Sequence, residues 1–528
     1  MPSAGLRFLF TPVATLPPLA WCAELHRGDP RIAVRHGLLV ETRDGGFFEG
    51  VWDAAFDEFG FAGAVSTMGS GACHEGSHIR FVAPSHTYES LCSLAEGDCL
   101  WISNSPAFAL ASAGDGPDIR YPFYHRDLLA LQRRGITGDE PASFPTACRR
   151  RLLLHAATDL LIDRELSILV RPRPGRPAPR DFASYRAQLA ESIAALLHNA
   201  TDPARTKRLR CAATISAGYD SPAIGVLAAE AGLRQAITFE SPEGSADSGR
   251  AIAEALGMQV HGIPPGRWRD LPEGLDAEFL VSSSGWAMFP LASLAEAWSN
   301  SVIFLGTMGD ELWRRDRRDV LDSLARPNEF QPCYAGLREY RLRAGIVFVH
   351  GPTISATNAS AIRCITRADD MLPWSVGGKY DRPIPRRIVE TAGISREQFG
   401  QAIHMTIDTQ TPEILRRLKR SSFAPFVKQT AKRLPLLQRR RLLFQWHAGP
   451  ALAGISLKAA QLLHGAGRRL KLPALDRAGK AAVIRVTRRQ WHEPMPILYT
   501  FHWAMAELIG RYRNAGAGGS VAAADSCR

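Results

Sequence analysis

No Cys-x-x-Cys pair occurs in this 528-residue chain, and its nine cysteines (Cys22, Cys73, Cys92, Cys99, Cys148, Cys211, Cys333, Cys364 and Cys527) are odd in number. Neither a zinc ribbon nor a disulfide framework is suggested, and reduced thiols in a cytoplasmic protein are the expectation. No run of about 18 apolar residues appears, so no membrane-spanning helix is expected. The apolar stretch Phe8–Trp21 is broken by Pro12, Pro17 and Pro18, and no small-residue cleavage site follows, so a secretory leader is not expected either. A Gly-Lys-Ser/Thr ending is missing, which excludes a Walker A loop. Acidic residues are scarce towards the C-terminus: Thr411 to Arg528 holds 22 Lys and Arg against 5 Asp and Glu. That segment is +17 in a chain of net charge +12, so the first 410 residues sum to about −5. A solvated helical surface explains such a patch, and an anionic peripheral partner is the alternative.

What is present is ordinary for a folded protein: 45% hydrophobic and 22% charged residues. The length implies about two or three domains. From Met1 to about Asp118 short β-rich runs alternate with glycine turns. From about Tyr121 to Leu169 Arg and Leu recur at helical spacing. Arg171–Arg180 is rich in Pro and Arg and reads as a boundary. A helix is predicted over Asp181–Asn199. Strands are then predicted over Leu209–Ile215, Gln235–Phe239, Val260–Ile263 and Val302–Leu305. Helices are predicted between them, over Pro222–Ala231, Ser248–Leu256 and Leu291–Trp298. Such alternation implies a parallel sheet with helices on both faces. After about Gln410 the chain reads as basic and helical, with a small, polar tail from Gly516 that reads as disordered.

The segment Cys211–Ser221 reads CAATISAGYDS, a buried strand running through a tight turn into a helix. The first N–H groups of a helix lack internal partners and favour an anion. Gly218 lets a phosphate approach the backbone, Ser216 and Ser221 can donate to it, and Asp220 suits a site where Mg²⁺ neutralises phosphates. An ordinary turn capped by Asp220 or Ser221 is the plain alternative.

Ser216-Ala217-Gly218-Tyr219-Asp220-Ser221 resembles the S-G-G-x-D-S pyrophosphate loop of asparagine synthetases and related N-type ATP pyrophosphatases, proteins of the adenine nucleotide alpha-hydrolase-like superfamily. Ile303–Trp313, IFLGTMGDELW, resembles the family's G-x-G-x-D-E-L-F segment, with Met308 in place of its second Gly. Between them Asp247–Gly257, DSGRAIAEALG, resembles the stretch in which an Asp precedes a helix ending in Leu-Gly. Three ordered elements within about 100 residues are more specific than any one alone. Pro373–Gly400 resembles the late segment that carries a Lys and Arg pair, with Lys379 first and Arg382, Arg386 and Arg387 as alternatives.

The resemblance implies an α/β fold of the ATP pyrophosphatase, or HUP-like, kind over 181–410, preceded over 1–170 by a β-rich, sandwich-like domain similar to a degenerate glutaminase. A basic helical segment over 411–515 and a tail over 516–528 follow. It implies ATP and Mg²⁺ as ligands, with Asp220 and Asp310 on the metal. Ser216, Ala217, Gly218, Tyr219, Asp220, Ser221, Thr238, Phe239 and Gly306 would line the nucleotide, and Lys379, Asp310 and Glu311 would serve catalysis. The implied reaction is amide formation: a small carboxylate is activated as an acyl-adenylate, pyrophosphate leaves, and an amine or ammonia displaces AMP. Glutamine-dependent amidotransferases of the family begin with Cys after the initiator Met, whereas position two here is Pro2, so no glutaminase activity is implied. Ala217, Pro222, Thr307, Arg314 and Arg315 also depart from the family pattern. They keep open a second reading, a non-catalytic homologue acting as an ATP-binding or partner-binding scaffold. Nucleic acid is not an expected partner.

Overall fold

The computed structural model describes residues 5–124, 127–128, 141–240, 248–264, 266–271, 275–281, 285–316, 322, 337–378, 380–401, 417–470, 472–492 and 499–516. Among the described residues thirteen strands precede residue 173: β1 (Arg7–Pro12), β2 (Trp21–His26), β3 (Arg31–His36), β4 (Glu41–Arg43), β5 (Gly46–Trp52), β6 (Thr67–Glu75), β7 (His78–Val82), β8 (Leu91–Glu96), β9 (Cys99–Ser103), β10 (Ala142–Pro145), β11 (Arg151–His155), β12 (Thr158–Ile162) and β13 (Ile168–Pro172). They form a seven-stranded sheet, β1-β3-β2-β9-β8-β11-β10, and a six-stranded sheet, β13-β12-β7-β6-β5-β4. Among the described residues of these two sheets, β1 and β3 are the one parallel pair. The inward faces meet in one apolar layer where Trp21 of the first sheet packs edge-on to Phe47 of the second at 4.9 Å. Strand β5 is buried along its whole length. Its Gly50 (φ +118°) faces Gly69 (φ +131°) of β6, where a Cβ on either would lie within 2.0 Å of a carbonyl oxygen of the other strand. Only glycine fits that crossing.

The helical spacing predicted from Tyr121 to Leu169 is overturned over 142–172, which forms β10 to β13. Leu152 and Leu154 are buried alternately with outward Arg151 and Leu153, and Leu160 to Ile162 are buried. Sheet packing therefore wins over the 3.6-residue pattern. The chain then passes through Arg173–Arg180 into helix α1 (Phe182–Thr201). Asp181 caps α1 by accepting from the Ser184 N–H at 2.8 Å, and Ser184 Oγ accepts from the Asp181 N–H. Tyr185, Leu189, Ile193 and Leu196 make its buried stripe.

Strands β14 (Arg210–Thr214), β15 (Gln235–Phe239), β16 (Gln259–Ile263), β17 (Ser301–Leu305) and β18 (Ile346–His350) form a wholly parallel sheet flanked by helices, in the order β16-β15-β14-β17-β18. The four predicted strands stand within a residue or so of their expected limits, and β18 is additional. Helix α2 (Asp220–Glu230) follows β14, and helix α3 (Leu337–Ala344) precedes β18. Beyond residue 416 lie Phe423–Arg433, a long helical hairpin of α4 (Leu436–Arg469) and α5 (Pro473–His492), and α6 (Thr500–Gly516). The helical C-terminal segment agrees with its composition. The predicted tail begins later than Gly516, which still ends α6, and residues 517–528 lie outside the described residues. Helix α6 packs into the body, with Tyr512 stacked on Phe108 at 4.7 Å. Tyr499, Trp503 and Tyr512 are buried there.

Candidate nucleotide site

In this strand order the chain runs outward from β14 to β16, then crosses back to β17. Adjacent strands β14 and β17 therefore mark the switch point, where loops at the carboxyl ends diverge and α/β sheets hold ligands. The two segments singled out in the sequence leave the sheet at that point. A Cβ on Gly306 would lie 2.4 Å from the carbonyl carbon of Asp220 and from the nitrogen of Ser221, and one on Gly309 would lie 2.4 Å from Cγ of Asp220. The loop after β17 thus seats directly on the first turn of α2, and any side chain at either glycine would part them. Met308 between them has φ +76°, a left-handed conformation that is easy for glycine and strained for methionine.

The Ser216–Ser221 turn is closed by its own hydroxyls. Ser221 Oγ accepts from the Ser216 N–H at 3.0 Å and lies 2.9 Å from Ser216 Oγ, which accepts from the Gly218 N–H at 3.2 Å. Tyr219 is the N-cap of α2 and no side chain caps it, so neither Asp220 nor Ser221 acts as the cap. Ala217 accepts from the Gly400 N–H at 2.7 Å, and the buried Tyr219 ring is covered by Gly400 and by the Tyr380 ring at 4.7 Å. The second element joins here too: Ser248 makes a β-bridge with Ser216, and the Gly249 N–H donates to Thr238 Oγ1 at 3.0 Å. Thr238 is therefore buried and committed to bracing this turn, while Phe239 is half-buried against the core.

Asp220 is the most perturbed group of the loop. Its Oδ2 accepts from Arg382, and its Oδ1 is buried with no hydrogen-bond partner. Burial pushes its carboxyl up to about 6; the charge of Asp310 adds to this and the guanidinium of Arg382 opposes it. Asp310 is exposed and Glu311 is buried on the next position. The remaining basic residues separate by role. Arg382 stands over the Tyr380 ring at 5.0 Å, and Arg386 donates to Tyr219 Oη and to Glu390 Oε1 at 2.9 Å. Arg387 points away, to Asp370 at 2.8 Å and the Phe182 ring at 4.2 Å. Lys379 and Asp247 lie outside the described residues.

Sequence spacing gives no hint of one donor cluster. Glu24, His26 and Cys99 meet across strands β2 and β9, with His26 Nε2 at 3.0 Å from Glu24 Oε1 and 4.0 Å from Cys99 Sγ. Glu24 is already engaged there, accepting from Trp101 Nε1 at 3.2 Å. A small cleft lined by Ser85, Arg173, Arg176 and Thr353, among others, also lies apart from the loops. Neither involves the residues of the switch point. Compared with known proteins, this chain matches no family model and no curated protein.

Proposed function

We propose that the chain is an ATP-dependent amide-forming enzyme of the asparagine-synthetase type, with a HUP-like nucleotide-binding sheet. The observation that carries this reading is the buried Asp220 Oδ1, unpartnered, at a switch point where an uncapped helix start meets a second glycine loop bearing Asp310. A buried carboxylate oxygen without a donor is costly, and a cation relieves that cost. Asp220 and Asp310 would hold Mg²⁺, which supplies charge neutralisation for the departing pyrophosphate. The N–H groups at the start of α2 and the hydroxyls of Ser216 and Ser221 favour the phosphates. Arg382 moves from Asp220 to the phosphate charge when nucleotide enters. The substrate carboxylate oxygen bonds to the α-phosphorus as the bond to pyrophosphate breaks. The amine nitrogen then bonds to the acyl carbon, AMP leaves with the carboxylate oxygen, and the nitrogen loses a proton. Thr307 stands where the family often has an acidic residue, so the base for that proton is not carried over.

One observation favours the scaffold reading: Asp220 has a protein counter-ion in Arg382. Calorimetry with ATP and Mg²⁺, followed by acid-dependent exchange of labelled pyrophosphate into ATP, separates the two. The enzyme reading expects binding that Asp220→Asn and Asp310→Asn both weaken, and exchange with at least one carboxylic acid. Binding without exchange for any acid in a broad panel leaves the ATP-binding scaffold; no binding by the folded chain sinks the enzyme and leaves only a partner-binding scaffold.

A further inference from the structure

Helices α4 and α5 pack chiefly on each other, and α4 otherwise leans on the helix Phe423–Arg433. The proximal part of α4 joins the main apolar core through Leu442 and Trp446, and beyond it the two helices lie chiefly on each other. The reason lies in the hairpin's glycines. A Cβ on Gly467 would lie 2.3 Å from the Asp476 nitrogen, and one on Gly479 would lie 2.4 Å from the His464 nitrogen. The helices meet through these bare faces at near-backbone distance, the packing mode of helices in lipid. Their leucines are therefore left outside the contact. Leu462 is 74% exposed, Leu470 65% and Leu472 49%. From Leu436 to His492 the sequence holds 12 Lys and Arg and a single acid, Asp476, which pairs with His464 at 2.7 Å.

We infer that the hairpin's distal end docks on an anionic phospholipid bilayer, its exposed leucines entering the acyl boundary and its flanking arginines holding lipid phosphates. Exposed leucine beside exposed Arg468 and Arg469 at the turn matches a surface with an apolar interior and an anionic rim. Arginine stems reach along such an interface while the guanidinium stays at the headgroups. A nucleic acid offers phosphate but no apolar layer. Single-strand binders also present aromatic rings for stacking, and residues 455–482 contain no Phe, Trp or Tyr. No helix of the described residues is long and apolar enough to cross the membrane, so the hairpin lies on the surface.

Vesicle flotation of the full chain tests this, with phosphatidylglycerol mixed into phosphatidylcholine against phosphatidylcholine alone. The full chain floats with the anionic vesicles and not with the neutral ones. Leu470→Asp with Leu472→Asp, and separately Arg468→Glu with Arg469→Glu, each reduce the bound fraction by at least about tenfold. All four positions are exposed, and unchanged circular dichroism and melting keep folding out of the readout. No flotation of the wild type overturns the proposal. So does flotation that survives the leucine variant and is abolished by a single-stranded RNA competitor, since that marks simple polyanion binding.

Discussion

Arginine is used in opposite ways by α3 and by the α4–α5 hairpin. In α3 Arg338 and Arg341 are buried, Arg343 is half-buried, and Arg341 and Arg343 are paired with carboxylates. Arg341 grips Glu49 of β5 through two bonds of 2.8 Å and also pairs with Glu89. Beside it Glu339 accepts from Ser105 Oγ at 2.6 Å and from Tyr512 Oη at 3.0 Å, and Arg343 and Arg511 both hold the buried Glu278. In the hairpin Arg439, Arg440, Arg441, Arg468 and Arg469 are exposed, and Asp476 is the one acid of its sequence. The lesson is that a charge count says little until burial is known: α3 is as charged as a surface helix, yet it fills the junction between the β-rich region and the parallel sheet.

Removing one partner of a buried pair leaves an uncompensated charge, whereas removing a solvated one changes little. Arg341→Ala is expected to cost about 3–5 kcal/mol in urea unfolding, since Glu49 and Glu89 lose their counter-ion. A loss below about 1 kcal/mol would mean the pair breaks even against its desolvation.

The second test uses pH. Burial pushes Glu278 up to about 7, against the pull of Arg343 and Arg511. A carboxyl raised in the folded state adds stability that is complete below its unfolded value and lost as pH rises through the folded value. Wild type should therefore lose stability relative to Glu278→Gln between about pH 4.5 and 7, by about 3 kcal/mol in all. Parallel unfolding curves across that range would show that Glu278 ionises freely.

Arg382 tests the middle of the scale, being buried but paired with a site carboxylate. Arg382→Met is expected to cost about 1–3 kcal/mol, because Asp220 then loses its one donor. Adding Mg²⁺ and ATP should recover part of that loss in a melting experiment; recovery equal in the Asp220→Asn background would contradict the shared site. The smallest effect belongs to the hairpin. Arg439→Gln, Arg440→Gln and Arg441→Gln should each move stability by less than about 0.5 kcal/mol by chemical denaturation. A larger change would show that these side chains pack rather than solvate.

Much of the parallel sheet is legible because apolar strands and glycine turns report local structure. Four strands and the helix Phe182–Thr201 could be read that way. Strand β18 could not, because its apolar run IVFVH follows the charged α3, which looks like solvent-facing chain. The loop residues Ser216–Ser221 and Gly306–Gly309 were also readable, since small residues at strand ends have few other uses. What the sequence does not carry is partnership across distance: that Arg382 takes Asp220, that Thr238 braces Gly249, or that Gly467 and Gly479 bring two helices together. Those depend on contacts between residues 9 to 162 positions apart, which no local pattern encodes.

The grip of Arg341 on Glu49 spans 292 residues of chain. A gene lesion that strips away the β-rich region would not free a smaller working unit; it would strand a guanidinium inside the remainder and deny it a fold. A region that answers a buried charge in this way is kept by selection for the fold alone, whatever chemistry it carries.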